Sequence, residues 1–292
     1  MLPTCLRIHL SQTSRHLRHA LQCRYYAEQS SPGETQRIAL VQGASRGLGL
    51  EFVKQLLDKP NQRVIATCRN PDGAADLQNM QSGSDGRLDI VQLDCTDEKS
   101  IANAASQVSH SHQHLDLLLN VAGILHVPGK MSPETALSRV NAQNLLWNFH
   151  INAMGPVLVS KEFAPLLAKA AQVSGASKDR PAVIANLSAR VGSISDNELG
   201  GWYSYRASKS AQNQLSKCMA IEFARRKQNI AVVMLHPGTV DTDLSEPFQK
   251  NVKPEKLFSR QRAVDQLLGI IEGTTMEKSG SFIAWDGQSI PF

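Results

Sequence analysis

The sequence contains no run of 18 uncharged apolar residues. Its richest stretch, Leu115 to Leu125, is interrupted by Asp116 and Asn120 and is too short to cross a bilayer as a helix. No integral membrane segment is therefore expected. The five cysteines, at 5, 23, 68, 95 and 218, form no Cys-x-x-Cys pair, which leaves neither a zinc ribbon nor an even disulfide framework. Acidic residues are missing from the first 27 positions, where Arg7, Arg15, Arg18 and Arg24 account for most of the formal net charge of +5. Without residues 1–26 the chain carries 27 basic against 26 acidic side chains. A nearly neutral body lacks the basic face that displaces counterions from a phosphate backbone, so no nucleic-acid partner is expected.

What the leader does have is Arg, Ser, His and Leu, with Leu2, Leu6, Leu10, Leu17 and Leu21 near helical spacing. This is the composition of a cationic amphipathic transit peptide. Arg24-Tyr25-Tyr26-Ala27 resembles a mitochondrial processing site cut after Tyr26. Residues 1–26 are read as a mitochondrial transit peptide directing the protein to the matrix, with cytoplasmic or chloroplast residence as alternatives. Residues 27–36, rich in Ser, Gln, Pro and Gly, form a linker.

From Arg37 onward, short apolar runs alternate with helical stretches, the signature of βαβ units and a parallel sheet. Strands are predicted at 38–42, 64–67, 88–93, 115–119, 182–187, 230–235 and 281–284. Helices are predicted near 48–58, 73–81, 98–109, 136–171, 203–227 and 260–273. Apart from a polar loop at 172–179, no boundary divides residues 37–292, so a single α/β domain with a doubly wound, seven-stranded parallel sheet is expected.

The first strand, Ile38 to Gln42, runs straight into Gly43-Ala44-Ser45-Arg46-Gly47-Leu48-Gly49 and an amphipathic helix. Glycines there let the backbone turn tightly and approach a pyrophosphate, whose charge meets the helix's N-terminal amides. An acid about 20 residues further on holds a ribose 2′-hydroxyl, whereas arginine suits a 2′-phosphate. Here that position is Arg69, with no acid before Asp72, and Arg46 lies within the glycine turn. Two guanidiniums favour NADP(H) over NAD(H).

Tyr205 and Lys209 lie four residues apart, one turn along one helix face. Bringing a phenol from a pKa near ~10 to about 7 requires ~4 kcal/mol, the scale of one adjacent unit charge at an effective dielectric near 20. With Lys209 supplying that charge, Tyr205 becomes an acid/base able to protonate a carbonyl oxygen as hydride arrives.

Gly43-x3-Gly47-x-Gly49, Asp94, Asn120-Val121-Ala122-Gly123, Asn152, Tyr205-x3-Lys209 and Pro237-Gly238 occur together and in order. In this the chain resembles the short-chain dehydrogenase/reductase family over essentially all of 37–292. The stretches Gly192-Ser193-Ile194, Gly200 to Lys209 and His236 to Asp243 resemble its C-factor or sniffer-like carbonyl reductase branch. The resemblance implies a Rossmann fold, an NADPH-dependent reduction of a ketone, aldehyde or quinone, and Tyr205 as proton donor. It implies that Lys209 lowers the phenol's pKa and holds the nicotinamide ribose, and that Asn152 binds a water linking Lys209 to solvent. It places Gly43, Ser45, Arg46, Gly47, Leu48, Gly49, Arg69, Asp94, Cys95, Asn120, Ala122, Gly123, Pro237, Gly238, Val240 and Thr242 around the cofactor. Asp94 is expected at the adenine amino group and Thr242 at the carboxamide or a phosphate. It also implies a homodimer through the helices near 136–171 and 203–227, for which a thick core is the alternative explanation.

The sequence departs from the family at the substrate-orienting serine. Asn186-Leu187-Ser188-Ala189-Arg190-Val191-Gly192 puts Ala189 on that position when the glycines are matched. Ser188 is taken as the replacement, with Ser193 as the alternative. Because successive strand residues face opposite sides, Ser188 serves only if the chain has left regular strand geometry. The departure motivates a second reading, a catalytically weak NADPH-binding regulatory module. Gln42 stands where a Thr tether is usual, and some loosening of the turn is expected. His110, His112 and His114 alternate, with no partnering acid cluster evident in the sequence, and no metal site is expected.

Overall fold

The computed structural model describes residues 36–174 and 176–292. The leader and all but the last residue of the linker lie outside the described residues. Seven strands form one sheet: β1 (Arg37–Gln42), β2 (Gln62–Cys68), β3 (Leu88–Gln92), β4 (Leu117–Asn120), β5 (Ala182–Leu187), β6 (Ile230–His236) and β9 (Phe282–Ala284). Their order is β3-β2-β1-β4-β5-β6-β9, and every neighbouring pair is parallel. The strands read as unbroken apolar runs because both faces of the sheet are covered.

Helices α1 (Gly47–Leu57), α2 (Ala75–Ser82) and α7 (Arg260–Glu272) cover one face; α3 (Glu98–Ser111), α5 (Gly155–Val173) and α6 (Tyr203–Arg225) cover the other. Strand side chains alternate between the two layers. Ala39 and Val41 pack with Phe52, Leu56 and Leu267, whereas Ile38 and Leu40 pack with Val108, Phe163 and Phe223. A two-strand pair, β7 (Thr239–Val240) and β8 (Leu257–Phe258), brackets the loop that follows β6.

The stretch expected to be one helix at 136–171 is instead a 3₁₀ turn (Leu137–Arg139), helix α4 (Ala142–Asn148), a π turn (Phe149–Met154) and α5. The Asn141 side chain accepts from Asn144 N–H and starts α4 afresh. Pro156 sits in the first turn of α5, and the π turn joins the two helices without a break in the chain's apolar periodicity.

The sheet order reverses direction between β1 and β4, so the chain diverges there to opposite sides. A crevice therefore opens beyond the carboxyl ends of these strands, the place where open α/β sheets bind ligands.

Candidate active site

The glycine turn leaves β1 at this crevice. Gly43 has φ +83°, and a Cβ on it would lie 2.8 Å from both the N and Cβ of Ala122 after β4. A Cβ on Gly49 would strike the Gly43 carbonyl. The two loops thus close on each other only because no side chain intervenes. Gln42 proves to be a tether rather than a loss: its buried Oε1 accepts from Ala122 N–H at 3.1 Å. Helix α1 begins with no side-chain cap, leaving its first amides facing the crevice. A pyrophosphate fits such a cradle.

Arg46 is exposed and pairs with Asp243 at 3.3 Å, and Arg69 is exposed at the end of the adjacent strand β2. Ser45 and Leu48 are half-buried in the turn, with Leu48 against the Val240 and Phe258 cluster. Asp94 accepts from Thr96 N–H at 2.9 Å and from the Thr96 hydroxyl at 2.7 Å, so one carboxylate oxygen is spent on its own loop. Cys95 packs against Gly155, and burial, reinforced by Asp94, pushes its thiol up to about 11.

Some expected cofactor residues are structural. Asn120 is buried and donates to Asn186 Oδ1 at 2.8 Å and to Ser160 Oγ at 3.2 Å, stapling β4 to β5 and α5. Val240 is a core side chain packed with Phe258 and Ala263, and its carbonyl accepts from the Ser245 hydroxyl at 2.5 Å. Gly238, at φ +79°, passes so close to the Phe258 ring that a Cβ would lie 2.7 Å from it, and half-buried Pro237 precedes it. Thr242 faces the glycine turn, its methyl 3.9 Å from where a Cβ on Gly47 would be.

Tyr205 and Lys209 line the same crevice from the first turns of α6. Both are buried, and Lys209 Nζ sits 5.9 Å from the Tyr205 ring centroid. Nζ donates to Leu187 O at 2.7 Å and Gln212 Oε1 at 2.9 Å. Gly123 brings the β4 loop beside it: a Cβ there would be 3.6 Å from Nζ and 3.2 Å from Asn152 Oδ1. The side chain of Asn152, inside the π turn, accepts from Ile124 N–H at 2.7 Å and donates to Ile124 O at 2.8 Å and Ser208 Oγ at 3.0 Å. It clamps the β4 loop to α6, and its side-chain amide is fully engaged in doing so.

The electrostatics correct the expectation of an acidified phenol. Burial raises the Tyr205 pKa above its ordinary value and lowers that of Lys209 to about 7. Desolvation disfavours both charged forms, and at this separation it outweighs any stabilisation of a phenolate by the ammonium. The proton resides on the phenol.

Ser188 faces away from this chemistry. Its hydroxyl is buried and donates to Asn213 Oδ1 at 2.7 Å, tying the end of β5 to α6. Ala189 remains extended (φ −149°, ψ 145°) and is more exposed, so alternation turns it to the opposite side. Ser193 is buried, and its Oγ accepts from Asp196 N–H at 3.1 Å. Strand geometry persists through the position where its loss was required, so neither serine stands in for the usual donor.

The three segments expected around the substrate meet here. Phe248 stacks on Trp202 with ring centroids 4.9 Å apart and meets His126 edge-on at 6.4 Å, while Trp202 meets Tyr205 at 6.4 Å. The His110–His114 segment lies elsewhere. His112 pairs with Asp89 at 3.1 Å, and His114 Nε2 lies 3.2 Å from Asp116. Each of these two histidines thus has its own carboxylate, contrary to the reading that no acids accompany them. Among the described residues no group of three His, Cys, Asp or Glu side chains is disposed to hold a metal.

Glycine turn, switch point and a Tyr–Lys helix at one crevice define a doubly wound α/β protein with a dinucleotide-type site. A profile of the short chain dehydrogenase family matches residues 37–253. An uncharacterized oxidoreductase of Schizosaccharomyces pombe is 30% identical over 270 residues, covering 88% of this chain and 99% of that one. The 1-hydroxy-2-glutathionyl-2-methyl-3-butene dehydrogenase of a Rhodococcus species is 30% identical over 250 residues, covering 85% and 96%. Among solved structures, an NADPH-bound carbonyl reductase from chicken fatty liver superposes with a TM-score of 0.78 at 34% identity, covering 89% of this chain and all (100%) of that one. The carbonyl reductase Sniffer of Drosophila melanogaster gives 0.77 at 29% identity, with 89% and 100% coverage. The chain belongs to the short chain dehydrogenase family of oxidoreductases.

Proposed function

We propose that this protein is an NADPH-dependent carbonyl reductase acting on a ketone, aldehyde or quinone, with Tyr205 as proton donor. The observation that carries the reading is a protonated, buried phenol one helical turn from Lys209, beside the β4 loop and the glycine cradle. The likeness to an NADPH-bound carbonyl reductase at 34% identity supports it, as do the exposed guanidiniums of Arg46 and Arg69 beside the cradle.

Bound NADPH supplies a hydride to the carbonyl carbon. Tyr205 Oη gives its proton to the carbonyl oxygen, so the product alcohol leaves with one added hydride and one added proton. A phenol whose pKa is raised remains protonated at neutral pH, which suits the reductive direction. Lys209, with a pKa near 7, exchanges protons in the physiological range and restores the one that Tyr205 gives up. Gln212 and the Leu187 carbonyl hold its nitrogen in place, and Asn152 holds the β4 loop against it. Trp202, Phe248 and His126 wall the crevice with apolar surface and exclude water from the carbonyl. With Ala189 in place of a hydroxyl donor, the developing alkoxide has Tyr205 as its main partner, and turnover is slow.

Ala189 also supports the second reading, a weakly catalytic NADPH-binding module. Two assays separate them. Fluorescence titration shows tighter binding of NADPH than NADH under both, whereas NADPH-dependent reduction of a panel of quinones, aldehydes and ketones occurs only for the enzyme. Tight binding with no turnover replaces the first reading by the second.

The leader directs import into mitochondria, and residues 1–36 fused to a fluorescent protein accumulate there; a cytosolic or plastid signal contradicts this. Two copies pair through α4, α5 and α6, where Leu146, Met154 and Ile221 are exposed. Sedimentation at micromolar concentration shows a dimer, and a monomer refutes it.

A further inference from the structure

Helix α6, which carries both Tyr205 and Lys209, starts in an unusual way. Gly200, Gly201 and Trp202 follow one another in the left-handed region, with φ of +61°, +65° and +49°. The two glycines adopt this freely, but Trp202 pays an intrinsic cost that the surroundings must offset. The helix has no side-chain cap from Trp202 and no acid in its first turn. Its local sequence therefore leaves the start of the helix unsupported.

The support comes from 70 residues away. Glu134 is 3% exposed and has no ion pair among the described residues, an expensive condition for a carboxylate. Its Oε2 accepts from Ser204 N–H at 3.2 Å, its Oε1 accepts from the Ser204 hydroxyl, and its main-chain carbonyl accepts from Trp202 N–H at 2.5 Å. One residue thus caps the helix, engages its positive end and fixes the left-handed tryptophan. Ser204 is itself 1% exposed and directly precedes Tyr205. Glu134 belongs to the segment that begins with the Val127–Met131 bridge, next to His126 of the crevice wall.

We propose that Glu134 is a positioning residue for proton transfer: through Ser204 and Trp202 it sets where Tyr205 Oη stands in the crevice. This rests on the reading of Tyr205 as proton donor. A buried charge committed to three contacts on three consecutive-turn atoms fixes the helix start more tightly than a local cap would. A misplacement of about 1 Å at the reacting atoms can cost ~100-fold in rate.

The test uses the full chain with Glu134→Ala, Glu134→Gln and Ser204→Ala. In Glu134→Ala, kcat falls about tenfold or more while the Kd for NADPH stays within about twofold, because the cradle is untouched. Glu134→Gln keeps an acceptor and recovers most of that loss. The Glu134→Ala/Ser204→Ala pair is no worse than Glu134→Ala alone, since both changes remove the same contacts. A purely structural cap behaves otherwise: Glu134→Ala melts earlier but keeps its kcat at a temperature where it is folded, and that result overturns the proposal. Should Glu134→Ala fail to fold, Glu134→Gln and Ser204→Ala carry the same comparison, with kcat loss in Ser204→Ala supporting it and unchanged kcat refuting it. Amide hydrogen exchange separates this from failure of the enzyme reading. If wild-type protein reduces no carbonyl, faster exchange at Ser204 and Tyr205 in the variant still supports the clasp, and unchanged exchange overturns it.

Discussion

The missing hydroxyl at position 189 yields the sharpest expectation. Ala189 is extended, partly exposed and turned opposite to Ser188, so Ala189→Ser places a hydroxyl on the crevice side without altering the backbone. A hydrogen bond to a developing alkoxide is charge-assisted and contributes about 1.5–3 kcal/mol, which predicts a rise in kcat of roughly tenfold to a hundredfold. Ser188→Ala is the control. It removes a buried bond of 2.7 Å and orphans Asn213 Oδ1. The expected cost is ~1–3 kcal/mol of stability, about 2–4 °C in melting temperature per kcal/mol for a domain of this size. Its kcat stays within about threefold of wild type, because no transition-state contact is lost. Steady-state kinetics with one reducible carbonyl, together with thermal melts, measures both. If Ser188→Ala is inactivated at unchanged stability while Ala189→Ser gains nothing, strand alternation has been misapplied and Ser188 is the donor after all.

Other expectations concern the cofactor and pH. Arg46→Ala and Arg69→Ala should each weaken NADPH binding by roughly tenfold, the value of one charge-assisted hydrogen bond, while leaving NADH within about twofold. Equal losses for both nucleotides would refute discrimination by the 2′-phosphate. The Arg46–Asp243 pair is exposed on both sides, so Asp243→Asn should change stability by well under ~1 kcal/mol. His236 is held neutral: burial, aided by Arg190 and opposed by Asp286 and Asp196, lowers its pKa to about 4. The unfolded chain therefore takes up the proton first as pH falls below about 6.5. Stability present above that pH is lost progressively toward pH 4, by up to about 3 kcal/mol, and His236→Gln should flatten that part of the denaturation profile. An unchanged profile contradicts the assignment.

The sheet was legible because buried parallel strands are continuous apolar runs between turn residues, and each predicted strand overlaps an observed one. The glycine turn was legible for a local reason: strand, turn and helix follow one another within a dozen residues. What escaped was non-local or electrostatic. The π turn around Asn152 hides in the stretch predicted as one helix, because apolar spacing continues through Phe149, Val157 and Phe163. Gln42 was read as a lost tether, since nothing in its neighbourhood announces Ala122 as its partner 80 residues later. Glu134 gave no signal at all beside Pro133. The Tyr205–Lys209 spacing was read correctly as proximity, but the pKa direction was reversed because spacing carries no information about burial. Alternation along β5 did frame the serine question correctly: it named the condition Ser188 had to meet, and the backbone at Ala189 does not meet it.

The most direct measurement compares wild type and Tyr205→Phe for NADPH binding and for NADPH-dependent carbonyl reduction in the same preparations. The variant should bind NADPH with a Kd within about twofold of wild type and lose at least about a hundredfold in kcat, because only the transferable proton is gone. Carbonyl reduction that persists undiminished in Tyr205→Phe would contradict the assignment of proton transfer to this phenol.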